Sequence, residues 1–273
     1  MSWQARVDPP WSLSSWRALA RHGWCAGIAP EGIDWDVQAQ AGLLGTRALP
    51  DAAVVRDAPA VPSRFLALAE CVVCHRDAAR HALLYRVLWR IASGEPGLLE
   101  RAVDRDVHAL QRMAQDVRRD THKMKAFVRF RAIPGADDAF AAWFEPGHLI
   151  VDRVAPFFVR RFTGMRWSIV TPDRSACWDG EALWLGPGGQ RDDVPPEDAG
   201  EALWRTYYAN IFNPARLNLR MMRQEMPQKY WHLLPETHAL PVLLRTAGER
   251  VQAMAEREAQ PVRRRIPGRP PQR

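Results

Sequence analysis

The chain has 273 residues, 47% hydrophobic and 25% charged, with a formal charge of +7. That composition excludes disorder throughout and is long enough to bury one large core or two modest ones. No apolar run nears the roughly 20 residues of a membrane-spanning helix, and Met1 to Pro10 carries polar residues and two prolines in place of a signal-peptide core, so the expectation is a cytoplasmic protein without a membrane partner.

From Trp11 to Trp24, Trp16, Leu19, Ala20 and Trp24 recur at helical spacing, with Ser12, Ser14 or Ser15 available as the cap. Ile33 to Val37 alternates like a short strand, and Ala48 to Pro62 reads as a connection. Three helices follow, over Pro62 to His75, Ala78 to Ile91, and Leu98 to about Arg119. The period then changes to two: Ala126 to Arg131 and Phe140 to Phe144 read as antiparallel strands joined by a loop at Pro134 to Asp138. A helix from about Leu149 to Phe162 precedes three short strands at Arg166 to Thr171, Ser175 to Trp178 and Ala182 to Leu185. Beyond the Gly186 to Pro196 loop the chain is helical again at Glu197 to Ile211, Pro214 to Glu225 and about Leu240 to Arg257. The order implies an α+β fold, a helical block followed by a mainly antiparallel sheet of about five strands flanked by further helices. The expected organisation is a small N-terminal subregion over 1–60, a main domain over 61–258 and a disordered tail over 259–273.

The basic excess sits mostly in that tail. Gln260 to Arg273 holds five arginines and no acid, so the remainder of the chain is near +2. A Pro/Arg-rich tail attracts phosphate backbones or serves solubility alone.

Cys71-Val72-Val73-Cys74-His75 spells a c-type haem attachment site. Its residues fall on an amphipathic helix with Leu66 and Ala69, so they read as buried thiols, and neither Cys25 nor Cys177 brings a partner at zinc-ligand spacing. No cofactor is expected. The stretch Asp120 to Arg131 holds two of the three lysines, a histidine and two arginines. On an extended strand Phe127, Arg129 and Arg131 would share one face, a basic, partly aromatic surface able to follow a phosphate backbone; the same residues also suit a plain edge strand facing water. Lys123, Lys125, Arg129 and Arg131 are therefore nucleic-acid-binding candidates. His122, Lys123 and Glu145 are the catalytic candidates, as proton shuttle, Schiff-base nucleophile and acid/base carboxylate. Arg160 and Arg161, at a helix C-terminus, suit the macrodipole or a phosphate.

Several phrases together resemble a bacterial family of DNA-metabolism proteins: Cys74-His75-Arg76-Asp77, His122-Lys123-Met124-Lys125-Ala126-Phe127, Trp143-Phe144-Glu145-Pro146, Ala155-Pro156-Phe157-Phe158-Val159-Arg160-Arg161, Ile211-Phe212-Asn213-Pro214-Ala215-Arg216 and Glu225-Met226-Pro227-Gln228-Lys229-Tyr230-Trp231. The likeness covers about Pro62 to Leu244 well. Members of that family stand alone, beside a radical-SAM protein of DNA modification or repair, or fused in front of a uracil-DNA glycosylase-like domain. The chain is similar to the fused type, but the Arg/Pro tail stands where the glycosylase would begin, so no glycosylase chemistry carries over. Asn213, Arg216 and Lys229 lie within these phrases and join the nucleic-acid-binding candidates. The resemblance implies a DNA-binding or accessory module in DNA repair, working with a glycosylase-like or radical-SAM partner. An enzyme of glycosylase or lyase type acting on damaged DNA, and a protein-only scaffold, are the alternatives.

Overall fold

The computed structural model describes residues 2–35, 47–49, 55–196, 219–234, 237 and 240–246. Two compact units divide the chain, Met1–Pro196 and Glu197–Arg273. Among the described residues no helix is long and apolar enough to cross a membrane. The architecture is the mixed α+β arrangement that the sequence implies.

The first unit opens with β1 (Trp3–Ala5) and α1 (Leu13–Cys25). Ser12 caps α1 by accepting the Ser15 amide at 3.1 Å, one of the serines available for that task. β2 (Ile33–Trp35) and β3 (Arg47–Ala48) lie on either side of β1, both parallel to it, a small sheet of which the sequence announced one strand. Trp16 is fully buried, its ring centroid 6.3 Å from those of Trp35 and Phe65, and its indole N–H donates to the His81 carbonyl at 3.3 Å. Gly23 permits this packing: a Cβ there would come within 2.7 Å of Ile33 Cδ1 and 2.9 Å of the Tyr85 hydroxyl.

A helical block follows, α2 (Ser63–Val72), α3 (Arg80–Ala92) and α4 (Arg105–Phe127). Leu84, Val87, Leu88 and Ile91 form the buried stripe of α3. Arg80, on the same helix, is buried too, and donates to the carbonyls of Val73 at 3.1 Å, Asp77 at 3.0 Å and Pro10 at 3.0 Å. The third helix departs from expectation at both ends. Leu98–Glu100 is a separate 3-10 turn, and α4 begins only at Arg105, where Asp104 accepts the amides of Asp106 and Val107. Arg90 reaches Asp104 at 2.8 Å and Glu95 at 3.1 Å, and its guanidinium holds both carboxyls below their ordinary range. At the far end α4 runs through Phe127, about eight residues past the anticipated stop. The expected strand at Ala126 to Arg131 is therefore corrected: only Arg131–Ala132 is strand, β4.

β4 pairs antiparallel with β5 (Ala139–Trp143), which pairs parallel with β6 (Arg166–Val170). The crossover between them is α5 (Val151–Arg161). β7 (Arg174–Trp178) and β8 (Leu183–Pro187) complete an antiparallel meander, giving five strands in the order β4-β5-β6-β7-β8. Asp179 closes the last turn by accepting the amides of Glu181 and Ala182 and the Trp184 indole N–H, which together hold its carboxyl at about 2. Phe158 and Trp167 are buried between α5 and the sheet, with Phe130 edge-on to Phe158 at 5.9 Å.

In the second unit the described elements are α6 (Leu219–Glu225), a 3-10 turn at Gln228–Leu233 and α7 (Leu240–Arg245). Tyr230, Leu233, Leu234, Leu240 and Leu243 are buried there, and the Thr237 hydroxyl bonds Trp231 O and Leu234 O, each at 2.7 Å. The helix anticipated at Glu197 to Ile211 and the Arg/Pro tail lie outside the described residues.

Candidate nucleic-acid interface

α4 buries Val107, Leu110, Met113, Ala114, Val117, Asp120 and Met124, which leaves the opposite side of the helix exposed over its whole length. At three- and four-residue spacing that side presents His108, Arg112, Gln115, Arg118, Arg119, His122 and Lys125. At about 1.5 Å rise per residue the row from His108 to Lys125 extends about 26 Å. All three acids on α4 are engaged. Asp106 bonds Arg86 and Arg90, Asp116 lies 3.8 Å from Arg119, and buried Asp120 accepts the His148 amide at 2.9 Å. Among the described residues no ion pair holds Arg112, Arg118 or Lys125, so the face carries a net positive charge although Arg119 has Asp116 beside it.

Two depressions follow one another along the seam between α2 and α4. The first, about 670 Å³, has Arg64, Ala67 and Leu68 on α2 facing His108, Gln111, Arg112, Gln115 and Arg118 on α4, with Leu99 beside them. No acid lines it. The second, about 460 Å³, is lined by Glu70, Val73 and Cys74, then Thr121 and Lys125, and by Trp11, Leu149, Asp152, Arg153 and Pro156. Its two carboxylates are occupied: Arg153 lies 3.3 Å from Glu70, and Asp152 accepts from Arg174 Nε and the Trp11 indole, each at 2.9 Å.

The catalytic candidates divide between two elements. His122 is exposed on α4, and Lys123 is half-buried with its ammonium 5.8 Å from the Phe127 ring. Glu145 is exposed on the loop after β5, where it accepts the Trp143 indole N–H at 2.8 Å. Of the cationic candidates, Lys125 is exposed, its ammonium 4.8 Å from the Phe157 ring. Arg129 and Arg131 do not form the basic strand face that the sequence suggested, because the helix carries the chain past Phe127. Arg129 turns back on the end of α4, donating to Ala126 O at 2.8 Å, and Arg131 is buried against Pro195 O at 2.9 Å. Arg160 and Arg161 are exposed in the last turn of α5. Lys229, in the second unit, is exposed with its ammonium 4.5 Å from the Tyr230 ring; Asn213 and Arg216 fall outside the described residues.

Sequence reasoning missed the arginines of the α4 face and the seam beside them. The signal was present in the periodicity of His108, Arg112, Gln115, Arg118 and His122, but the helix was taken to stop before it reached Lys125. It also missed a histidine pair for which no linear signal exists. His75 and His148 stack with ring centroids 4.3 Å apart, the Nδ1 of each accepting a backbone amide, from Asp77 and Arg76 respectively. Arg76 reaches Gly147 O at 3.0 Å and Asp173 Oδ1 at 3.1 Å, fastening this corner to the β6–β7 turn. Burial lowers the affinity of His75 for a proton, against Asp77 and Asp116, which raise it. Burial likewise pushes the Cys74 thiol up to about 12, so it lies inert in the helix, and among the described residues no three His, Cys, Asp or Glu side chains group as metal ligands.

A model for a domain of unknown function, DUF4130, matches residues 78–236, more than half of the chain. The chain belongs to the DUF4130 family. The DUF4130 match takes in α3, α4, the five-stranded sheet and α6, and so contains the whole cationic face; α2 and the Arg64 side of the seam precede it. No curated protein and no solved structure matches the chain.

Proposed function

We propose that the protein is a nucleic-acid-binding accessory module of DNA metabolism, one that holds a phosphate backbone along the exposed face of α4 and works beside a glycosylase-like or radical-SAM enzyme. The observation that carries this reading is the set of exposed cations Arg112, Arg118 and Lys125, none held by an ion pair among the described residues, on a helix whose three acids each have another partner. A cation with no protein counter-charge gains most from displacing the counterions of a phosphate chain. The partner enzymes enter through the sequence resemblance. Arg160 and Arg161, in the same unit as α4, are further exposed cations, and the Arg/Pro stretch of the sequence carries five more charges.

Fluorescence anisotropy against salt tests the reading. Each phosphate contact contributes about 0.7–0.9 to the slope of log K on log salt, so removing three by Arg112→Ala, Arg118→Ala and Lys125→Ala lowers the slope by about 2 to 2.7. A slope unchanged by the triple substitution, in a protein that still binds, places the interface elsewhere. No binding at low salt by either protein ends the reading.

A further inference from the structure

We infer that the nucleic acid held by α4 is a single strand, with its phosphates on Arg112, Arg118 and Lys125 and its bases turned into the two depressions of the α2–α4 seam. The inference rests on the phosphate-binding reading of that face and goes further by naming the form of the ligand.

The shape of the surface argues for it. A helix that reads a duplex protrudes, so that it can enter a major groove about 12 Å wide. α4 instead packs on α2, α3 and α5, and forms one wall of a trough. The trough is concave, at about 670 Å³ and 460 Å³, within the range of about 300–1,000 Å³ typical of pockets that enclose a small molecule. Its chemistry argues the same way. Ala67, Leu68 and Leu99 give the first depression an apolar part of its lining, and Trp11, Leu149 and Pro156 do so for the second. Hydrated phosphates gain nothing from apolar surface, and a duplex keeps its base faces stacked against one another. A single strand offers both parts at once, charged backbone and free apolar base faces, and each depression is lined by apolar side chains together with at least one cation. Arg118 and Lys125, seven residues apart, share one line along the helix about 10 Å from one another, and Arg112, about 120° round the helix from Arg118, lines the first depression together with it.

The test uses the full chain with three labelled probes of equal length: oligodeoxythymidine, oligouridine and a DNA duplex. Arg112→Ala with Arg118→Ala removes charge from the first depression, and Ala67→Gln, at an exposed helical position in its lining, narrows it without adding charge. The expected result is at least tenfold tighter binding of a single strand than of the duplex. The arginine pair should weaken every probe, and Ala67→Gln should weaken only the strands, several-fold, with an unchanged melting temperature. A preference for thymidine over uridine identifies the strand as DNA, and the reverse as RNA. Equal affinity for duplex and strand, with Ala67→Gln silent, overturns the single-strand inference while the backbone reading of α4 stands. Binding to none of the probes overturns both.

Discussion

Arg80→Met keeps most of the side-chain volume at a buried position and removes three side-chain hydrogen bonds, to the carbonyls of Val73, Asp77 and Pro10. Hydrogen bonds from charged donors contribute about 1.5–3 kcal/mol each, so the gross loss is on the order of 4.5–9 kcal/mol. The guanidinium no longer has to be desolvated, which returns several kcal/mol, and the net destabilisation comes to about 3 kcal/mol. With a urea slope of about 2–3 kcal/mol per molar, the unfolding midpoint falls by about 1 to 1.5 M. Far-ultraviolet circular dichroism reads that midpoint directly, and Arg80→Lys, which keeps the charge but reaches fewer carbonyls, falls between the two. A shift under about 0.2 M, the size of an ordinary surface substitution, would refute the view that Arg80 ties the end of α2 to the segment before α1.

Two further outcomes follow from the same corner. Burial lowers His75 in the fold below the ordinary 6.5 that it has when unfolded, so the preference for its neutral form contributes fully above about pH 6.5 and is lost as pH falls through the lower folded value. His75→Asn keeps an acceptor for the Asp77 amide and does not titrate; the fall in melting temperature from about pH 7.5 to about pH 5.5 should shrink, and an identical fall in both proteins would remove His75 as its source. Iodoacetamide should label exposed Cys177 in the native protein and reach Cys71 and Cys74 only in denaturant, as read by peptide mass; native labelling of Cys74 as fast as Cys177 contradicts its burial.

Much of the fold was legible because local chemistry and tertiary packing agree. Ser12 sits where a cap belongs, Asp179-Gly180 turns the chain between β7 and β8, and the stripe of α3 points one way. Where they disagree, reading failed. Asp120 occupies a core position between Val117 and Met124, where an apolar residue would have continued the stripe, and its partner, the His148 amide, is 28 residues away. Phe127, Val128 and Phe130 then look like a strand by composition, although the first still closes a helix. The burial of Arg80 had no signal in its own helix, because its acceptors Val73, Asp77 and Pro10 all lie outside it. The parallel β1–β2 and β1–β3 pairs were invisible for the same reason, since strands of three and two residues carry no period of their own. The candidate site shared this fate: its charges were countable from the sequence, but the side of α4 that displays them was not.

The five-stranded sheet assembles at unequal speed. Three residues separate β6 from β7 and four separate β7 from β8, whereas 22 lie between β5 and β6. The meander can zip from local turns, but β5 must wait for α5 to form and bring its parallel neighbour alongside. Until then its sole partner is the two-residue β4, and Ala139 to Trp143 remains an open strand edge with Trp143 at its end. On the ribosome that edge emerges 22 residues before the strand that covers it, which leaves β5 open to pairing with other chains in the interval.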